Sequence, residues 1–192
     1  MIKYAILLNP GHNRVYFDQS ARLAAAELEI ALGRLSVEAR DIKPGNISGT
    51  GYLTFETGRE LDRDEAGAVW QVSSCYCLFT LAGRDKPLLA PVQRPEAKYF
   101  DPAVGGMLKY PGKTNELFTR LMINAAAWSS DFAGQRRLAL LDPVAGKGTT
   151  LLEGLVLGCD VAGIEISERP AREFCVFFKK YLELGKYKHT YE

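Results

Sequence analysis

Hydrophobic residues in the first half of the chain follow two periods, one of two residues and one of about 3.6 residues. Apolar or alternating runs predict strands over residues 4–8, 37–42, 52–55 and 72–81. Apolar residues at helical spacing predict one helix from Asp18 or Ser20 to about residue 35, and another over residues 61–69. The predicted order is therefore strand, helix, strand, strand, helix, strand.

That order predicts a ferredoxin-like α+β domain over residues 1–92. Residues 44–51 are rich in turn-forming residues, so we expect a turn there, and residues 88–92 are a candidate edge strand. Residues 93–192 are predicted to form a linker followed by a second, α/β domain.

Residues 84–113 differ in composition from the segments on either side. Five of the nine prolines fall here, and proline at this density opposes regular helices and strands. Basic residues outnumber acidic ones and alternate with aromatic rings, a combination suited to phosphate contacts and base stacking. The alternative is a solvated linker whose aromatic rings pack on its neighbours. Under the first interpretation, the nucleic-acid-binding residues are Arg94, Lys98, Lys109 and Lys113.

The second half of the chain alternates helix and strand. An amphipathic stretch predicts a helix over residues 114–128, capped by Thr114 or Asn115. Apolar runs predict a strand that ends at Asp142 and another over residues 161–166, with a helix over residues 149–157 between them. A last helix is expected after Ser167, and its aromatic side chains are predicted to be core residues: Phe174, Phe177, Phe178 and Tyr181.

Bulk composition narrows the class of protein. Hydrophobic residues make up 47% of the chain, enough for a core, and the net charge of +1 does not indicate a nucleic-acid partner. No run is apolar enough to span a bilayer and no signal peptide is recognised, so we expect a cytoplasmic protein without membrane contact. The four cysteines are expected to be free thiols, and two unclustered histidines predict no metal site.

A glycine turn between a strand and a helix is the main candidate for ligand binding. Gly146 and Gly148 leave no side chain between the main chain and a ligand. The helix that follows directs its first N–H groups at the turn, where an anionic group such as a carboxylate fits. The next apolar run contains Glu165, whose carboxylate can accept hydrogen bonds from a diol. These parts make up one half of a nucleotide-binding α/β sheet.

Two phosphate-binding motifs do not fit this turn. A P-loop needs serine or threonine directly after its lysine, but Gly148 follows Lys147. A dinucleotide fingerprint needs a third glycine where Leu151 stands, so it matches only weakly.

The stretch from Asp142 to Glu153 resembles motif I of class I S-adenosylmethionine-dependent methyltransferases, in the form Asp-Pro-x-x-Gly-x-Gly-Thr-Thr-Leu-x-Glu. The resemblance implies a Rossmann-like domain with S-adenosylmethionine as its cofactor. It places the methionine end of the cofactor at the turn, and the ribose hydroxyls on Glu165. The implied cofactor-binding residues are Asp142, Pro143, Ala145, Gly146, Gly148, Thr149, Thr150, Glu165 and Ile166.

Two strings before motif I narrow the resemblance: Lys109-Tyr110-Pro111-Gly112-Lys113, and Ile123-Asn124-Ala125-Ala126 at the end of the predicted helix. Together with a ferredoxin-like amino-terminal domain, they look like the THUMP-associated tRNA guanine methyltransferases. The resemblance implies RNA methylation in tRNA processing, with transfer of a methyl group from S-adenosylmethionine to the exocyclic amine of a guanine in tRNA.

The catalytic residues are not identified by this resemblance. Enzymes that methylate exocyclic amines resemble one another in an Asp/Asn-Pro-Pro-Tyr/Phe loop, which grips the flipped base. The nearest strings here lack the second proline and the aromatic residue: Asn9-Pro10-Gly11-His12 and Asp101-Pro102-Ala103-Val104. A single predicted helix follows Glu165, so we expect the catalytic sheet to be incomplete after its second strand.

Two alternatives stay open. A DNA amino-methyltransferase of permuted order has a similar string before its helix, although it would need the base-gripping loop upstream, and residues 1–100 do not contain one. The other alternative is a non-catalytic module that binds the cofactor or RNA. Because a sheet that lacks strands exposes edges, we expect a homodimer or a partner chain that completes it.

Overall fold

The computed structural model describes residues 1–9, 14–35, 37–83, 86–96, 99–135 and 137–190. The strands are β1 (Ile2–Leu8), β2 (Ala39–Ile47), β3 (Thr50–Thr57), β4 (Cys75–Ala82), β5 (Leu88–Pro91), β6 (Ala139–Asp142) and β7 (Asp160–Gly163). The helices are α1 (Arg14–Gly33), α2 (Arg63–Gln71), α3 (Val104–Met107), α4 (Glu116–Ser129), α5 (Thr149–Val156) and α6 (Glu168–Leu184). The protein is therefore a mixed α/β chain.

The chain divides into two compact units. The first comprises Met1–Glu96 and Arg120–Arg136, and the second comprises Ala97–Thr119 and Arg137–Glu192. The predicted domain boundary at residue 92 remains a prediction. Residues 120–136, which the sequence placed in the second domain, group with the first unit.

Five antiparallel strands form the sheet of the first unit, in the order β2-β3-β1-β4-β5. Every second residue of β1 and β3 belongs to the same core. Tyr4 and Ile6 of β1 pair with Phe55 and Leu53 of β3, and all four are 1% exposed or less. The rings of Tyr4 and Phe55 stack with their centroids 5.1 Å apart. Burial of each such side chain contributes about 1.5–3 kcal/mol.

Helix α1 packs its apolar stripe into this core, as its spacing predicted: Ala24, Leu28, Ala31 and Leu32 are all buried. Its predicted start at Asp18 or Ser20 is wrong, because the helix begins at Arg14. Ser20 is only 1% exposed and lies inside the helix. Packing of an amphipathic segment stabilises a helix more than one cap residue does, so a candidate cap residue does not by itself locate the start of a helix.

The turn predicted over residues 44–51 is too long, because most of that segment belongs to β2 and β3. The turn itself consists of Ser48 and Gly49, whose φ values are +51° and +87°, as a type I′ hairpin requires. The side chain of Asn46 accepts a hydrogen bond from the Gly49 N–H at 2.8 Å. Pro44, Gly45 and Asn46 therefore lie in the edge strand β2, and Gly51 lies in β3.

Strands β6 and β7 form a parallel pair in the second unit. Helix α5 connects them and packs closely on both, since a Cβ atom on Gly154 would lie 2.8 Å from side chains of Leu140 and Val161. The predicted strand over residues 161–166 is too long, because β7 ends at Gly163. Beyond β7, Ile164 is hydrogen-bonded to Asp142 and Ala145, and the Glu165 carboxylate accepts a hydrogen bond from the Gly146 N–H.

Helix α6 differs from its prediction as a core helix. None of its residues is buried, and its aromatic side chains are only half-buried. They stack on one another instead, with ring centroids 5.6 Å apart for Phe174 and Phe178 and 6.2 Å apart for Phe178 and Tyr181. Burial, with Tyr187 as a further contributor, raises the pKa of Tyr181 to about 12. Helical periodicity correctly identified the apolar face but not its degree of burial.

Within the residues that the structure describes, no helix combines the length and the apolar character needed to cross a membrane.

A buried polar network joins three helices of the first unit. The carboxylate of Glu27 in α1 accepts hydrogen bonds from the N–H (2.9 Å) and hydroxyl (2.6 Å) of Ser73, and from the side-chain amide of Asn124 (2.7 Å). The same amide donates to the carbonyl of Gln71 at 2.7 Å. Asn124 therefore fixes α4 against α1 and the end of α2.

Burial raises the pKa of Glu27 above its ordinary value of 4.5, although its hydrogen bonds oppose the shift. A carboxyl whose folded-state pKa is raised binds more protons in the folded state. The Glu27 contribution to stability is therefore largest at low pH, and it decreases as the pH rises from about 4.5 through the raised pKa.

We expect the Glu27→Gln variant to lose this pH dependence, because glutamine keeps an acceptor for the two N–H donors but does not ionise. The quantity to measure is the free energy of unfolding by urea at several pH values from 4 upward. The difference between wild type and variant should change in favour of the variant, with a limiting slope of about 1.4 kcal/mol per pH unit. A constant difference across that range would contradict the prediction.

Candidate functional site

The glycine turn of the second unit lies between the end of β6 and the start of α5. Gly146 and Gly148 have φ values of +54° and +77°, in the left-handed region that favours glycine. The Gly148 N–H donates to the carbonyl of Ala145 at 2.8 Å, which closes the turn tightly. Apart from its two neighbours in the chain, no residue that the structure describes lies within 4 Å of where a Cβ atom on Gly146 would be, so this side of the turn is open.

Glu165 lies beside this turn. One oxygen of its carboxylate accepts a hydrogen bond from the Gly146 N–H at 2.9 Å, and the other accepts one from the Ser167 N–H at 2.8 Å. Main-chain bonds bring it there: the Ala145 N–H donates to the Ile164 carbonyl at 2.8 Å, and the Ile164 N–H donates to the Asp142 carbonyl at 2.9 Å. Each carboxylate oxygen retains acceptor capacity for a hydroxyl group.

Asp142 also contributes to the turn. Its carboxylate accepts a hydrogen bond from the Val144 N–H at 3.0 Å, so it stabilises the first bend after β6. The other residues predicted at the site differ in exposure. Thr149 is buried, Thr150 is half-buried, Pro143 is exposed, and Ile166 is fully exposed. The structure therefore joins Gly146 directly to Glu165 by a hydrogen bond, and it joins Asp142 and Ala145 to the same segment through Ile164.

Sequence reasoning missed four residues that contact the turn. The hydroxyl of Tyr110 lies 2.9 Å from that of Thr149, at the first position of α5. The ammonium of Lys147 lies 4.8 Å from the centroid of the Tyr110 ring and forms an ion pair with Glu173 of α6. This ammonium, followed by the guanidinium of Arg169, holds the pKa of Glu173 below its usual value. Tyr110 belongs to the Lys109–Lys113 segment that precedes α4, but nothing in its spacing indicated a contact with Thr149.

Phe174 of α6 is the fourth of these residues. A Cβ atom on Gly148 would lie 2.3 Å from the ring of Phe174, so the ring occupies the space that glycine leaves. The second glycine of the turn is therefore needed for packing as well as for its backbone conformation.

The last acid of the motif, Glu153, has a packing role. It is 1% exposed, and a Cβ atom on Gly105 of α3 would lie 2.0 Å from its carboxylate. The carbonyl of Gly105 accepts a hydrogen bond from the ammonium of Lys113, which also pairs with Glu116. These contacts hold α3 and the following loop close to α5.

The predicted nucleic-acid-binding residues differ in how they are placed. The side chain of Lys113 is only 11% exposed, so its ammonium is used inside the second unit rather than offered to phosphates. Lys109 of the same unit is exposed. Arg94 belongs to the first unit, where its guanidinium lies 5.4 Å from the centroid of the Trp70 ring. Lys98 lies outside the described residues.

Two segments come closest to the sequence of a base-gripping loop, one beginning at Asn9 and the other at Asp101. Asp101 accepts a hydrogen bond from the Ala103 N–H at 2.8 Å and so forms the turn into α3. Most of the string that begins at Asn9 lies outside the described residues. Among those that are described, no three histidine, cysteine or acidic side chains are grouped as metal ligands.

A cavity of about 280 Å³ lies in the first unit, beside Met1 and the edge of β2. Two arginines line it, but Arg40 is paired with Glu38 and Arg59 with Glu65. Since carboxylates already neutralise these arginines, we assign no ligand to this cavity.

Comparison with protein-family models and with curated proteins finds no match to this chain.

Substitution of the two turn glycines by alanine should separate backbone strain from packing. Gly146→Ala forces a left-handed alanine into open space, which costs about 1–2 kcal/mol. Gly148→Ala imposes the same backbone cost and also displaces the Phe174 ring. We therefore expect the larger decrease in unfolding free energy for Gly148→Ala, measured by chemical denaturation. Equal decreases would contradict the packing role of Phe174.

Proposed function

We propose that the chain binds S-adenosylmethionine at the turn between β6 and α5. The observation that carries the proposal is the Glu165 carboxylate, which two main-chain N–H groups hold beside Gly146. A preorganised acceptor at an open glycine turn suits the two hydroxyls of a ribose, because the Glu165 side chain loses little conformational freedom when the ligand binds. The helix that follows the turn favours an anionic group at its start, such as the carboxylate of the cofactor.

The reaction we propose is methyl transfer to the exocyclic amine of a guanine in tRNA, in the cytoplasm. The strand order of the first unit supports a ferredoxin-like domain, and the parallel β6–β7 pair supports part of a Rossmann-like methyltransferase domain. Since the sulfonium of the cofactor supplies the reactive methyl group, the protein chiefly orients the two reactants. We assign no residue of this chain to the step that grips the base.

Of the predicted RNA-binding residues that the structure describes, Lys109 and Arg94 are exposed and can contact phosphates. Lys113 no longer belongs to this set, because its ammonium pairs with Glu116.

Calorimetry with S-adenosylmethionine and S-adenosylhomocysteine tests the cofactor site, with NAD and ATP as control ligands. We expect Glu165→Ala to lower the affinity for both cofactor forms at least about tenfold, because hydrogen bonds to a charged group are lost. Gly146→Val should abolish binding by placing methyl groups in the open side of the turn. Glu168→Ala removes a nearby exposed acid as a matched control and should bind normally. Unchanged affinity in both site variants would refute the assignment.

A non-catalytic module completed by a second copy is the other candidate, and one observation favours it. Apolar side chains in and after the strands of the two-stranded sheet are more than half exposed: Leu141, Val144, Ile164 and Ile166. Exposed apolar residues next to unpaired strand edges are typical of a surface that pairs with another chain.

If a second copy covers this surface, sedimentation velocity should show a dimer that forms with increasing protein concentration. Ile164→Asp should shift the equilibrium to monomer, because a carboxylate would be buried in an apolar interface. Val176→Asp changes an equally exposed apolar residue of α6 and serves as the control. A wild-type protein that stays monomeric at the highest concentration would rule out the homodimer.

A further inference from the structure

Lys147 lies between the two glycines of the turn, in a position where its ammonium has two partners. It forms an ion pair with Glu173 of α6, and it lies over the ring of Tyr110. Its side chain is 26% exposed, so it is partly shielded from water but still reaches the surface. A cation held in this way binds a carboxylate more strongly than a fully solvated lysine does.

The Tyr110 ring is itself fixed, because its hydroxyl is hydrogen-bonded to that of Thr149. The attraction between the ring face and the ammonium does not require Glu173. Lys147 therefore keeps one contact that favours its present position if the ion pair with Glu173 opens.

Glu173 does not depend on Lys147 alone. One of its carboxylate oxygens accepts a hydrogen bond from the Arg169 guanidinium at 3.0 Å, and the other is the partner of Lys147. Its side chain is 36% exposed, so water replaces a lost contact at low cost. Opening the Lys147–Glu173 pair therefore leaves no buried unpaired charge.

We propose that Lys147 exchanges Glu173 for a free carboxylate of the ligand that binds at the turn, so that Glu173 is a competitor within the protein. The ligand class is a nucleoside that carries an amino-acid carboxylate. The open side of the turn at Gly146, next to Lys147, provides the approach for that group. This inference rests on the proposed cofactor site and adds to it the residue that discriminates between ligands with and without the carboxylate.

The test compares two probes that share the adenosine and sulfur: S-adenosylhomocysteine, which carries the amino-acid group with its carboxylate, and 5′-methylthioadenosine, in which a methyl group replaces that group. Calorimetry gives the affinity of each for wild type, Lys147→Met and Glu173→Gln. We expect Lys147→Met to weaken S-adenosylhomocysteine binding roughly tenfold, as the loss of a charge-assisted hydrogen bond implies, and to leave methylthioadenosine unchanged. Glu173→Gln should strengthen S-adenosylhomocysteine binding several-fold and also leave methylthioadenosine unchanged.

Lys147→Arg and Lys180→Met complete the set. Arginine keeps the charge and should restore most of the preference for the carboxylate, while loss of the exposed Lys180 of α6 should change neither affinity. Circular dichroism confirms that each variant is folded. The Glu173→Gln result stands by itself if Lys147→Met fails to fold.

The outcomes distinguish the role of Lys147 from the existence of the cofactor site. If wild type binds both probes and neither Lys147→Met nor Glu173→Gln changes their affinity ratio, the role of Lys147 is overturned while the cofactor site stands. If the folded wild-type protein binds neither probe, the cofactor site fails and the role of Lys147 fails with it.

Discussion

The second unit depends on a turn that only glycine accommodates. Gly146 and Gly148 both adopt left-handed backbone angles, and each has a separate consequence for an element outside the turn. The Gly146 N–H fixes the Glu165 carboxylate, while the missing side chain of Gly148 admits the ring of Phe174. The positions of the chain after β7 and of α6 are therefore set by the same few backbone atoms.

This arrangement changes how the site is interpreted. The sequence indicated a turn whose N–H groups face a ligand, but the structure shows that Glu165 already accepts from one of them. Instead of weakening the proposal, this contact supports it, because a carboxylate held at both oxygens is in place to receive hydroxyl groups. Lys147 is a similar case. Its ammonium already pairs with the carboxylate of Glu173, so a carboxylate is the kind of group that it binds.

The first unit follows a different constraint, that of satisfying polar groups inside an apolar core. Glu27 is almost fully buried, and donors from Ser73 and Asn124 offset part of the cost of its burial. Removal of any one partner would leave the carboxylate short of a donor, at a cost of about 1–3 kcal/mol. Asn124 thus explains why part of α4 groups with the first unit.

The sequence by itself determined what short-range physics controls: the alternation that makes strands, the stripe of α1, and the glycine turn with its helix. Only the tertiary structure decided which partners distant residues meet. The sequence pattern around Lys113 indicated a solvated cation, but in the structure its side chain is largely buried and pairs with Glu116. Tyr110 likewise forms a hydrogen bond with Thr149, which lies 39 residues further along the chain. Periodicity identifies the apolar face of a segment, but burial and long-range hydrogen bonds depend on what the rest of the chain brings to that face.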